Sequence, residues 1–238
     1  MVRSNERSNT SLRPVSIETE VNPNAAGSCL IKCGGTHVLC TASVTTDLPE
    51  WLKNASKGWV TAEYAMLPCA TSTRVAREKN LHAGRTHEIQ RLIGRSLRSV
   101  VDLESLKGYQ IIIDCDVLQA DGGTRTASVT GAFVALYIAL TKMKNDGLMN
   151  VFPIKEFVAA VSCGMKDGEV LLDLDYGEDS TADTDSNFVM TQSGKIVEIQ
   201  GTAEKVPFSE DEFLELLHTA RSGISQLINQ QKEALGIK

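Results

Sequence analysis

Residues 109–133 read Tyr-Gln-Ile-Ile-Ile-Asp-Cys-Asp-Val-Leu-Gln-Ala-Asp-Gly-Gly-Thr-Arg-Thr-Ala-Ser-Val-Thr-Gly-Ala-Phe, and the rest of the chain is organised around them. Residues 111–118 are a β-branched, apolar run of strand length. Asp121-Gly122-Gly123 breaks it, because glycine permits positive φ and close backbone approach. From Thr124 onward, small and apolar residues keep a helical period through Ala132, Val134, Leu136 and Leu140. The stretch therefore predicts a strand, a glycine turn and a helix N-terminus, with Arg125 in the first helical turn.

The N–H groups of a first helical turn have no intrahelical partner, and the helix dipole adds partial positive charge there. Such an end suits an anion. Arg125 stands where a first turn prefers Asp or Glu, and a break with local preference points to function. The stretch reads as a phosphate cradle of Gly122, Gly123, Thr124 and Arg125, or else as an ordinary tight turn with a solvated Arg. It is not the G-x-x-x-x-G-K-S/T loop.

Outward from this centre the pattern alternates strands and helices. Upstream, residues 14–21 alternate weakly, like an edge strand. Residues 28–32 and 37–44 form a hairpin about Gly34-Gly35. Residues 47–58 are a polar connection, and 59–67 are a strand stopped by Pro68. Residues 70–83 are a basic loop with Arg74, Arg77 and Lys79, and Gly84-Arg85-Thr86 leads into a helix. Between Arg74 and Arg98 lie seven Lys or Arg against two Glu. Arg91, Arg95 and Arg98 share a helix face and read as solvated or salt-bridged. Arg74, Arg77 and Arg85 read as loop residues, where binding groups concentrate, with RNA or phosphate as the ligand.

Downstream, residues 143–150 are a linker at which two similar halves would divide. Strands follow at 157–165 and 170–176. An acidic loop at 177–187 holds Glu178, Asp179, Asp183 and Asp185. A hairpin comes next, about Ser193-Gly194. Ser209, with Glu212 three residues on, opens a last helix through a capping box. Hairpins mixed with three long helices make the class α+β or mixed α/β, of which we take α+β. Residues 1–12 are polar and predict a flexible N-terminus.

At 238 residues the chain buries a full core. Its net charge of −6 argues against a general nucleic-acid coat and leaves room for a local basic patch. The six cysteines form no C-x-x-C pair and read as reduced, mostly buried thiols. No run suggests a membrane span or a secretion signal, so the expected compartment is the cytoplasm. Asp179 and Asp185 would suit a hard cation such as Mg²⁺, which one or two carboxylates and substrate phosphate oxygens typically hold; the loop lacks the Gly and Glu of an EF-hand. Cradle, basic loop and carboxylate pair together are the parts that phosphoryl transfer needs.

Five segments carry a resemblance to the ribonuclease PH family of phosphorolytic 3′-to-5′ exoribonucleases. They are Gly58-Trp59-Val60-Thr61-Ala62-Glu63-Tyr64, Gly84-Arg85-Thr86 with Glu88 to Arg95, Asp114 to Thr126, Glu178-Asp179-Ser180, and Gln200-Gly201-Thr202-Ala203-Glu204. The resemblance spans nearly the whole chain. It implies a single RNase PH-type domain with the two-layer sandwich of ribosomal protein S5 domain 2, assembled as a homohexamer, a trimer of dimers. It implies phosphate binding at Arg85, Gly123, Thr124 and Arg125, and RNA contact at Arg74 and Arg77. Asp179 and Asp185 would be catalytic and hold Mg²⁺ or Mn²⁺; as the last acid of the loop, Asp185 is also our candidate for passing a proton to the leaving oxygen. The substrates implied are tRNA precursors and other RNA 3′ ends, with inorganic phosphate as co-substrate. Nucleoside diphosphates would be the products, and would feed the reverse reaction.

The chain departs from the family pattern at Cys69, where some relatives carry Arg, and its loop after Arg77 looks short. Two other readings compete. A non-catalytic RNA-binding subunit of an exosome-like ring would have lost cradle arginines or loop aspartates, and all are present. A small-molecule kinase on a related fold would need an ATP loop, which is missing.

Overall fold

The computed structural model describes residues 3, 6–77 and 84–237. The first sheet has strand order β1-β2-β3-β5-β4. Its strands are β1 (Val15–Thr19), β2 (Gly27–Cys33), β3 (Thr36–Thr45), β4 (Trp59–Met66) and β5 (Gln110–Gln119). The β2–β3 hairpin turns at Gly34, whose φ is 55°. β4 and β5 are parallel, and the helix α2 (Gly84–Ser99) lies in the crossover between them. A short helix, α1 (Glu50–Lys53), sits in the connection that the sequence leaves irregular.

The second sheet has order β7-β6-β8-β9. Its strands are β6 (Val158–Lys166), β7 (Glu169–Leu172), β8 (Thr184–Thr191) and β9 (Ile196–Ala203), all antiparallel to their neighbours. The last helix, α5 (Glu210–Ala234), packs on β6. It starts with the predicted capping box of Ser209 and Glu212.

Helix α3 (Thr124–Asn145) packs against both sheets, on β2 and β3 from one side and β6 from the other. A helix covered on both sides has no reason to keep a polar face. That explains why it is long and apolar enough to cross a membrane by length and composition, while 78% of its apolar window is buried inside the protein. Two glycines allow the close approach. A Cβ on Gly27 would stand 2.3 Å from the Ala135 carbonyl oxygen, and one on Gly131 would stand 2.8 Å from Cys40 Sγ. Gln231 of α5 is fully buried and donates Nε2 to the Thr130 and Val158 carbonyls at 2.9 and 3.0 Å, tying α5 to α3 and β6.

The described part of the N-terminus differs from the expected flexible tail. Arg3 is 3% exposed and grips Glu178 through Nε and Nη2 at 2.7 and 2.8 Å. The Asn9 carbonyl accepts from the Leu172 amide at 2.7 Å. Polarity here marks buried ion pairing, which composition does not distinguish from solvation.

Candidate active site

The centre of the site is the turn between β5 and α3. Gly122 and Gly123 are both left-handed, with φ of 73° and 64°. Gly122 is also a close approach, since a Cβ there would stand 2.5 Å from the Leu174 carbonyl oxygen. The turn is pinned from the hairpin side by Thr36. Its hydroxyl donates to the Gly122 carbonyl at 2.6 Å and accepts from the Asp121 amide at 2.9 Å. α3 then begins with Gly123 as an N-cap that offers no side chain, and its first turn holds no acid. The N-terminal end of this largely buried helix is thus left positive.

Thr124 is buried, and its Oγ1 accepts from the hydroxyl of Tyr64 on β4 at 2.9 Å. Burial raises the Tyr64 pKa; the Thr124 hydrogen bond and the charges of Arg85 and Arg125 oppose it. Arg125 donates Nη1 to Gln200 Oε1 at 2.6 Å and lies 3.5 Å from Glu88 Oε1. Gln200 in turn donates Nε2 to Glu88 and to Glu198, each at 3.2 Å. α2, α3 and β9 therefore converge on Arg125. Arg85 is exposed in the first turn of α2, a helical position where the sequence predicts a loop.

The acidic segment is more ordered than the predicted loop. Asp175 caps a short helix, α4 (Tyr176–Asp179), with a capping box closed by Glu178. Asp179 ends that helix. Asp185 is on β8, opposite Gly164 and Thr202, so a sheet and not a loop aims it. The pKa of Asp179 is raised, first by desolvation and then by the charge of Asp185, against the pull of Arg85 and Arg125. Asp185 Oδ1 is buried without a hydrogen-bond partner among the described residues. A buried carboxylate oxygen left unpaired is costly, and it marks a place kept for something else.

Arg85, Arg125, Asp179 and Asp185 thus share one electrostatic neighbourhood, beside Gly123 and Thr124. Arg74 and Arg77 are exposed in the segment after β4, Arg77 in helical conformation. Arg77's charge reaches Asp116 of β5, where desolvation, the larger effect, raises the acid's pKa. The loop with Lys79 after Arg77 lies outside the described residues. Of the helix arginines, Arg95 pairs with Glu198 at 2.7 Å, while Arg98 donates to the Val60 carbonyl at 2.8 Å and covers the Trp59 ring. Cys69 is exposed and the other five cysteines are buried, all as free thiols.

Among the described residues, no group of three or more His, Cys, Asp or Glu is placed to hold a metal. The pair of Asp179 and Asp185 remains. Their mutual repulsion and the orphaned Oδ1 fit a hard cation completed by substrate oxygens.

The sequence assigns no role to four contributors, of which it singles out only Glu178, as one acid of the loop. Tyr64 and Gln200 lie within the resemblance segments, yet neither is chemically conspicuous. Arg13 and Glu178 act from behind the site. Arg13 is 4% exposed and forms a fork with Asp173, Nε to Oδ2 at 3.0 Å and Nη2 to Oδ1 at 2.7 Å. Burial alone would lower the Arg13 pKa, but Asp173 reverses this and raises it. No local pattern links partners 160 residues apart in the chain.

Two family models cover most of the chain: the 3′ exoribonuclease family, domain 1, matches residues 11–141, and domain 2 of the same family matches 156–223. A protein named Ribonuclease PH from Methylobacterium nodulans is 57% identical, the match covering 99% of this chain and all of that one. A Ribonuclease PH from Neisseria meningitidis is also 57% identical, over 96% of each chain. Two solved structures share the fold. Rice Rrp46 matches with a TM-score of 0.79 at 19% identity, covering 98% of this chain and all of that one. A chain of the Archaeoglobus fulgidus exosome with RNA bound to the active site matches with a TM-score of 0.81 at 23% identity, covering 96% and 92%.

Proposed function

The chain belongs to the RNase PH family of 3′ exoribonucleases, and we propose that the cluster about Gly123, Arg125 and Asp179 is the site of its reaction. The activity itself is phosphorolytic removal of nucleotides from RNA 3′ ends. The observation that carries the site assignment is the meeting of Arg85 and Arg125 with two carboxylates, one raised in pKa and one with an orphaned oxygen.

Inorganic phosphate rests against Arg85, Arg125, Thr124 and the amide of Gly123. These donors hold it for attack on the last phosphodiester, which makes the reaction effectively intramolecular. A phosphate oxygen bonds to phosphorus, the bond to the 3′-oxygen of the preceding nucleotide breaks, and a nucleoside 5′-diphosphate leaves. The freed 3′-oxygen takes one proton. Hydrogen phosphate already carries one, so the balance needs none from Asp185, and Asp185 is assigned to the cation instead. Asp179 and Asp185 would hold Mg²⁺ or Mn²⁺, which when bound supplies positive charge against the phosphates. A cation would favour the ionised form of Asp179, whose pKa is raised, so metal affinity should rise with pH through the range in which Asp179 titrates.

The RNA is tRNA precursors with extra 3′ nucleotides, gripped along the backbone by Arg74 and Arg77, whose exposed charges carry no sequence preference. The working form is a homohexamer in the cytoplasm. Its support is the fold shared with an exosome chain, and the sparse basic patch of an acidic protein, which gains from being repeated around RNA. The test incubates a 3′-extended tRNA with and without inorganic phosphate. Phosphate-dependent release of nucleoside diphosphates, stopping at a defined 3′ end, is expected. Trimming of unstructured RNA alone would remove tRNA as the substrate.

A further inference from the structure

We propose that Arg13 and Asp173 form a positioning pair that sets the phosphate turn, although neither touches the phosphate. The proposal rests on the assignment of Gly123 and Arg125 to phosphate. Arg13 Nη1 donates to the Asp121 carbonyl, and Nη2 reaches the Gly122 carbonyl at 3.5 Å. In a trans peptide the C=O and the following N–H lie in one plane and point opposite ways. Holding the Asp121 and Gly122 carbonyls from behind therefore aims the Gly122 and Gly123 amides forward. Thr36 already holds the Gly122 carbonyl, so the hold of Arg13 matters most for the Asp121–Gly122 plane, which a glycine at 122 would otherwise leave free to turn.

The other end of the pair is built for the same purpose. Asp173 takes the Arg13 fork on both oxygens and also accepts the Arg13 amide at 2.8 Å. It holds a left-handed φ of 56°, a costly conformation without glycine that persists where the surroundings over-determine it. Two residues later Asp175 caps α4, the helix that ends in Asp179, and the Tyr176 amide donates to Asp121 Oδ1 at 3.3 Å. One ion pair thus links the phosphate turn of the first sheet to the aspartate segment of the second. Space is kept for it: a Cβ on Gly34 would stand 2.7 Å from Arg13 Cδ. Because Asp173 neutralises Arg13, the pair works by orientation and not by attraction of the anion.

The experiment measures kcat and the separate KM values for phosphate and RNA in Arg13→Lys and in the double variant Arg13→Met with Asp173→Asn. Lysine keeps the charge but cannot form the fork. The double variant removes both charges, while asparagine tolerates the left-handed backbone at 173 and can still accept the backbone amide of residue 13. Both should show a phosphate KM raised about tenfold or more, since small displacements at a reacting group are costly, with the RNA KM nearly unchanged. Thermal melting checks folding, and if Arg13→Lys does not fold the double variant decides. An unchanged phosphate KM in a folded variant, or an equal rise in both KM values, would overturn the pair's role. Arg125→Ala runs alongside. If it keeps normal phosphate dependence, the site assignment fails; if it is inactive while the Arg13 variants are normal, only the positioning pair fails.

Discussion

Two clusters of arginine and carboxylate meet at the short helix α4, whose Glu178 belongs to one and Asp179 to the other. In the rear cluster, Arg3 and Arg7 close on Glu178 at 2.7 and 3.0 Å, and Arg13 closes on Asp173 at 2.7 Å. In the front cluster, Arg85 and Arg125 lie near Asp179 and Asp185, one of whose oxygens has no partner. The border runs between adjacent residues. Glu178 is lowered in pKa: desolvation pushes it up, but the Arg3 hydrogen bonds and the Arg3 and Arg7 charges outweigh this. Asp179 is raised. The same residue types thus build a scaffold where their charges are matched and the proposed site where they are not.

The comparison breaks most visibly at the front. Arg125→Ala or Asp185→Asn should lower kcat/KM by about 10²–10³-fold, the usual effect of losing a group that stabilises developing charge, with the melting temperature little changed. A folding defect with normal turnover per folded molecule would put these residues in the scaffold. In the rear cluster the order reverses. Glu178→Ala removes the carboxylate that Arg3 and Arg7 share, leaves the buried Arg3 with carbonyl partners alone, and should cost about 3–5 kcal/mol of stability in urea unfolding. Loss of activity without loss of stability would contradict the division.

Adjacent acids give a finer test through pH. Glu178 is depressed, so its stabilisation is present above the unfolded pKa and is lost as pH falls through the folded one. Asp179 is raised, so it weakens the metal-free fold as pH climbs from the ordinary aspartate range through its folded value. Asp179→Asn should therefore melt higher than the parent near neutral pH, with the gap closing in acid, while activity is lost. An Asp179→Asn protein that melts lower at neutral pH would reverse the assignment. The smallest effect is expected at an exposed pair, Lys32 with Glu18 at 2.6 Å. Lys32→Ala should cost at most about 1 kcal/mol, and a larger loss would show that matched charge alone does not define the scaffold.

The front of the site was largely legible in the sequence. Strand, glycine turn and helix could be read from residues 109–133, because each is dictated by local pattern. The turn's glycines are in fact left-handed, and the helix starts at Thr124 as the periodicity predicts. Asp185 was legible as an acid but not as a strand residue, since β8 owes its start to pairing with β6 and β9. The rear cluster was not legible. Arg3, Arg7 and Arg13 look like a solvated tail until the fold brings residues 173–178 against them, and sequence periodicity carries no record of such distant pairing.

The most direct test uses labelled inorganic phosphate with a 3′-extended RNA, comparing the parent protein with Arg125→Ala. With the parent, label should enter the terminal phosphate of released nucleoside diphosphates; with Arg125→Ala, label should be absent while RNA is still bound. Unlabelled monophosphates from the parent, or label released by Arg125→Ala at the parent rate, would contradict a phosphate site at this turn.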